Sequence, residues 1–181
     1  MQIIDATSPI TAIVYRDGQQ CEAYLKALAD TLTADGQRVA GLIHQRRHRA
    51  DRRKCDVDLR DLASGRVHVI FDDRGPDARG CLMNNGLLLS AVQTAEARLS
   101  SDVDLLVLCK FGKAEMAGGG LRSIIAAALE LSIPVVIGVP EMNVREFRKF
   151  AGDLACEVNL EEIRAEGQPL VTNEQAPVSS R

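Results

Sequence analysis

The chain has 181 residues, 46% hydrophobic and 26% charged, with 3% aromatic residues and no tryptophan. That length suits one domain with an aliphatic core, and no apolar run reaches the roughly 18 residues of a membrane helix. The few aromatic faces and a net charge of −3 argue against a stacking platform or a generally basic surface for nucleic acid.

Ile10 to Tyr15 is a short, unbroken, β-branched run, as expected of a strand covered on both faces. Arg16 to Gln20 is a loop. Ala23, Leu25, Leu28, Ala29 and Leu32 then recur at helical spacing up to Ala34, and Asp35-Gly36 ends the helix. Val39 to Ile43 is the next strand, which completes a unit of the size of a right-handed parallel crossover. His44 to Lys54 is a polar, arginine-rich connection. Cys55 to Leu62 and Arg66 to Phe71 flank a turn and read as an antiparallel hairpin, with Val57, Leu59, Val67, Val69 and Phe71 alternating against polar residues.

Asp72 to Asn85 is a long loop. A helix from about Gly86 to Leu99 carries Leu87, Leu88, Ala91, Ala95 and Leu99 on one side. Asp104 to Cys109 is a third buried strand, Lys110 to Gly120 a glycine-bearing loop, Leu121 to Leu131 an alanine-rich helix, and Pro134 to Val139 a fourth strand. Asn143 suits the N-cap of a helix reaching Phe150. Ala155 to Val158 suits an edge strand, and Leu160 to Ala165 a final helical turn or two. Residues 1–166 are expected to form a single α/β domain, and the aperiodic residues 167–181 a mobile tail. The pattern predicts a three-layer αβα sandwich, with a mainly parallel sheet and an antiparallel hairpin addition.

Ligands of such sheets bind beyond the carboxyl ends of the strands. The loop after the first strand has the position of a phosphate-binding P-loop but not its residues. It holds Gly18 alone, has no Lys followed by a hydroxyl, and places Asp17 where phosphate would sit. Amides at the helix start can still bind an anion. The second loop, Cys109-Lys-Phe-Gly-Lys-Ala-Glu-Met-Ala-Gly-Gly-Gly-Leu-Arg122, ends its strand in Cys109-Lys110, where nucleotide hydrolases place a magnesium-holding acid. Lys110, Lys113 and Arg122 with Gly118, Gly119 and Gly120 suggest an oxyanion cradle; the alternative is a flexible loop with solvated lysines. Arg74 and Arg79 offer a second clamp or else pair with Asp72 and Asp73.

The basic segment Arg46–Lys54 is either a contact for phosphates or an acidic partner, or a solvated loop. His44 and His48 are four apart, a spacing that suits a metal on a helix, but no third ligand is near in sequence. No metal site is expected. The five cysteines, Cys21, Cys55, Cys81, Cys109 and Cys156, are scattered without a CxxC pair and read as reduced, mostly buried thiols. Residues 1–9 lack a secretory pattern, so a cytoplasmic location without membrane insertion is expected.

The stretches Val57-Asp-Leu-Arg-Asp-Leu-Ala-Ser-Gly65, Asp73-Arg-Gly, Arg79-Gly-Cys-Leu82, Lys110-Phe-Gly-Lys-Ala-Glu115, Gly-Gly-Leu-Arg122 and Ile133-Pro-Val-Val resemble a bacterial family of domains of unknown function, number 2478 among such domains. The resemblance covers roughly Ile10 to Gly152. It implies similarity to P-loop nucleoside triphosphatases and an association with genes of molybdate transport and molybdenum enzymes. Family members often carry Asn where this chain has Cys109, whereas Glu115 matches the downstream glutamate of the triphosphatases.

Three functions follow as expectations. The leading one is an oxyanion-binding protein, molybdate or tungstate favoured, acting by binding rather than catalysis. The second is a divergent triphosphatase that binds nucleotide and uses Glu115 to orient water. The third is a regulatory or assembly partner of molybdenum transport or enzyme maturation, with a homodimer plausible for a sheet of this size.

Overall fold

The computed structural model describes residues 8–47, 56–72 and 83–165. Seven strands form one sheet: β1 (Ile10–Tyr15), β2 (Val39–Arg47), β3 (Asp56–Asp61), β4 (Val67–His68), β5 (Leu105–Leu108), β6 (Val135–Pro140) and β7 (Ala155–Asn159). Their order is β4-β3-β2-β5-β6-β1-β7. The five strands from β2 to β7 in that order run parallel, and β3 and β4 add an antiparallel extension beyond β2.

Six α-helices lie among the described residues: α1 (Gly18–Ala34), α2 (Asn85–Glu96), α3 (Lys113–Met116), α4 (Arg122–Glu130), α5 (Val144–Ala151) and α6 (Leu160–Ala165). Alternate side chains of the parallel strands enter two separate cores. Ile13, Leu105, Val107 and Val136 pack with α1 and α6, while Ala12, Leu106, Leu108 and Ile137 pack with α2, α4 and α5. Burying both faces of an aliphatic sheet requires helices on each side, and this is the expected three-layer α/β sandwich.

Several local expectations change. Strand β2 does not stop at Ile43 but runs through His44 to Arg47, because β3 pairs with it antiparallel as far as Arg47 opposite Asp56. His44 is therefore on a strand, where a four-residue separation does not give the helical ligand geometry, and His48 lies outside the described residues. Val67 and Val69 face solvent, 41% and 44% exposed, while Ile70 is buried. Asp61 is buried in the hairpin turn, where its carboxylate accepts the Ala63 and Ser64 amides and the Ser64 hydroxyl.

In α1, Ala23 is exposed, and Cys21 and Tyr24 fill the core face beside the predicted leucines. Leu87 is exposed on α2. Asn143 stands at the N-cap position of α5 as expected, but its side chain makes no cap hydrogen bond; its amide donates instead to the Phe111 carbonyl at 2.9 Å. Arg74 and Arg79, the basic segment beyond Arg47, Cys55, Cys81 and the tail from residue 167 lie outside the described residues. No helix among the described residues is long and apolar enough to cross a membrane.

Candidate functional site

The carboxyl ends of β1, β5 and β6 lie side by side, and their loops form the mouth of the sheet. At the β1 end, Asp17 caps α1. Its carboxylate accepts the Gln19 amide at 2.8 Å and the Gln20 amide at 3.3 Å. A helix start offers these same donors to an anion, and here the chain's own acid occupies them. Gly18 begins the helix, and a Cβ there would meet only Tyr15 at 3.8 Å, so no close approach demands glycine. Arg16 ties this end to the turn that follows β6 through a two-pronged ion pair with Glu141, 2.9 Å on each arm.

The β5 loop is more ordered than its glycines suggest. Residues 113–116 form the short helix α3 within the segment expected to be loop. Glu115 on that helix is 4% exposed and turns inward. One carboxylate oxygen accepts the Gly112 amide at 2.7 Å, and the other accepts the Leu121 amide at 2.8 Å. Glu115 thereby pins both ends of the loop to its middle. Gly120 makes room for it, with φ at +61° and space in which a Cβ would stand 2.0 Å from Glu115 Oε1. The Gly118 and Gly119 amides donate to the carbonyls of Glu115 and Ala114.

Three aromatic rings support the loop from below. Phe111 is fully buried, meets Phe147 edge-on at 5.3 Å, and stacks on Phe150 at 5.5 Å. Its amide donates to the Gly138 carbonyl of β6. The Arg122 guanidinium lies over the Phe150 ring, 4.7 Å from its centre, and Arg122 Nε is buried without a hydrogen-bond partner. Such stacking holds a guanidinium without neutralising it.

The loop's charge is therefore one-sided. Its carboxylate is buried on backbone amides. Among the described residues, no carboxylate lies within ion-pair distance of Lys110, Lys113 or Arg122. Both lysines are exposed. The structure keeps Lys110, Lys113, Arg122 and the three glycines on one segment. Gly18 stands on a different loop of the mouth, and Arg74 and Arg79 lie outside the described residues.

Sequence reasoning missed a polar cluster between α1, β2 and the end of β5. His44 is largely buried and its Nδ1 lies 3.0 Å from Glu22 Oε1. Arg46 grips the same carboxylate with Nε at 2.7 Å and Nη2 at 3.1 Å. Cys109, which follows β5, lies near enough to the same imidazole to act on it electrostatically. Burial pulls the His44 imidazole down, but Cys109 and Glu22 together outweigh it and raise it to about 10. Burial likewise raises the Glu22 carboxyl, but His44 and Arg46 more than reverse this and hold it at about 2. Tyr15 and Cys21 flank the cluster. Burial foremost pushes both up, Cys21 to about 12. Glu22 and His44 are 22 residues apart and meet only through the fold, so no local pattern announces them. Among the described residues, no group of three His, Cys, Asp or Glu is placed to hold a metal ion.

A mainly parallel α/β sheet with a degenerate phosphate loop and a basic second loop defines a P-loop-like class of domain. The family model described as "Protein of unknown function (DUF2478)" matches residues 10–167, and the chain belongs to this family. The chain is also 33% identical over 147 residues to the "Molybdenum import ATP-binding protein ModC 2" of Bradyrhizobium diazoefficiens. That match covers 80% of the chain and 16% of the relative's length. No solved structure matches.

Proposed function

We propose that the protein is an oxyanion-binding module of molybdenum homeostasis, with molybdate or tungstate as its ligand and a working location in the cytoplasm. The observation that carries this reading is the one-sided charge of the β5 loop: Glu115 is turned into the backbone, leaving Lys110, Lys113 and Arg122 without carboxylate partners among the described residues. A small tetrahedral dianion suits two mobile ammonium groups and one fixed guanidinium. The relative named for molybdenum import supports the choice of anion and a working partnership with molybdenum transport or enzyme maturation.

Nucleotide hydrolysis is less well supported. Both Glu115 oxygens already accept backbone amides, and Asp17 occupies the amides a phosphate would use. Isothermal calorimetry with molybdate, tungstate, sulfate and phosphate tests the proposal. Binding of molybdate or tungstate in preference to the other two, weakened about tenfold or more by Lys113→Ala, is expected for a charge-assisted contact. Absence of binding to all four anions at millimolar concentration refutes it.

A further inference from the structure

The anion reading leaves one contact of the β5 loop unused, the aromatic ring beneath its guanidinium. Phe150 lies near the end of α5 and brings no charge to the loop. Arg122, the first residue of α4, stands over that ring with its guanidinium carbon 4.7 Å from the centre. Its Nε is buried there without a hydrogen-bond partner. A sealed N–H without an acceptor is unfavourable, and an ordinary surface arginine avoids it by turning into water. The hydrogen bonding of Arg122 therefore does not explain its position, whereas the stack on the ring does.

Phe150 is itself anchored. It stacks on Phe111 at 5.5 Å, with 28° between the ring planes, and meets Phe147 at 6.5 Å. Phe111 is fully buried and held at both ends of its backbone. Its amide donates to the Gly138 carbonyl at 2.8 Å, and its carbonyl accepts the Asn143 side-chain amide at 2.9 Å. A line of fixed groups thus runs from β6 and the turn after it, through two rings, to Arg122. Lys110 and Lys113 have no such support; both are exposed, on flexible four-carbon stems.

We propose that Phe150 is the positioning residue of the anion site. This rests on the oxyanion reading and adds how that site is organised before its ligand arrives. A free arginine side chain must be ordered as it closes on an anion, and the ordering subtracts from affinity. The stack on Phe150 orders Arg122 in advance and leaves its charge intact. Phe150 acts only through Arg122, and by this route α5 belongs to the site.

Calorimetry of the full-length chain with molybdate tests this. Phe150→Leu keeps an apolar side chain without the ring and should weaken molybdate binding about fivefold, the effect of having to order one long side chain on binding. Phe150→Tyr keeps a ring under the guanidinium and should bring the affinity back to within about twofold of the wild type. In an Arg122→Gln background, Phe150→Leu should cause no further loss, whereas in a Lys113→Ala background it should still weaken binding about fivefold. A residue that merely supports the fold would lower affinity equally in both backgrounds. The Arg122 Nε–H should also give a slowly exchanging, ring-shifted NMR resonance that Phe150→Leu removes, a readout that needs no anion. Wild-type affinity in Phe150→Leu overturns the proposal and leaves the oxyanion reading intact. So does a loss that persists at full size in the Arg122→Gln background. A wild-type chain that binds no anion overturns the oxyanion reading and this proposal with it.

Discussion

Glu115→Ala isolates the contribution of the buried carboxylate that holds the β5 loop. The substitution removes the acceptor of the Gly112 amide at 2.7 Å and of the Leu121 amide at 2.8 Å. Glu115 is 4% exposed, and Gly112 and Leu121 are also buried, so water cannot replace the lost acceptor without opening the loop. Each buried donor left unsatisfied costs about 1–3 kcal/mol. Alanine's slightly better helix propensity offsets only a few tenths of a kcal/mol. The expected loss is about 4 kcal/mol, which for a domain of this size lowers the melting temperature by roughly 8–16 °C. Glu115→Gln keeps one acceptor oxygen and turns an amide donor toward the second N–H, so it should lose about half as much. Lys113→Ala is the control on the same short helix. Its side chain is exposed, and the change should stay within about 0.5 kcal/mol. Urea unfolding followed by circular dichroism reads all three. A loss below about 1 kcal/mol for Glu115→Ala would show that the loop does not depend on this carboxylate and would remove the reason its cations stand without carboxylate partners among the described residues.

Gly138→Ala should destabilise the domain by about 1–3 kcal/mol, the range for forcing a methyl into a packed interior. The new Cβ would stand 2.6 Å from the Cys109 carbonyl and 2.9 Å from Cys21 Sγ, and thermal unfolding measures the effect. The Glu22–His44 pair should make stability fall on both sides of a mildly acidic optimum. Glu22 drops from 4.5 in the unfolded chain to about 2 on folding, so its contribution is present above about pH 4.5 and lost as pH falls toward 2. His44 rises from 6.5 to about 10, so its contribution is complete below about pH 6.5 and lost as pH climbs toward 10. Melting temperatures from pH 3 to pH 10, wild type against the Glu22→Gln/His44→Gln double variant, should therefore differ most between about pH 4.5 and 6.5. A difference that stays flat with pH refutes the coupling.

Much of the fold is legible in the sequence because the parallel strands are continuous apolar runs and the long helices repeat at 3.6 residues. Ile10–Tyr15 and the body of α1 up to Ala34 follow from these patterns, although the helix begins at Gly18, inside the Arg16–Gln20 segment expected to be loop. The rest depends on contacts that no short window contains. His44 to Arg47 has no strand-like composition and is extended only because β3 supplies hydrogen-bond partners. Helix α3 has four residues, too few to show a period, and is specified by Glu115 reaching Leu121 across three glycines. Val67 and Val69 alternate as a strand should, but Ile70, not they, faces the core. At the site, sequence composition places the basic residues on the right loop but does not reveal that Glu115 turns inward. The Glu22–His44–Arg46 cluster joins residues from α1 and β2, and only the fold brings them together.

The strand β4 has a further consequence for the solution behaviour of the protein. An open sheet exposes a row of unpaired backbone groups at its rim, which a second chain can extend into a fibril. On the hairpin side, this sheet ends in a strand of two residues, Val67–His68, instead of the nine-residue β2. Two residues offer few free amides and carbonyls, so β4 itself gives a second chain little to pair with, and the exposed valines stand at a short edge.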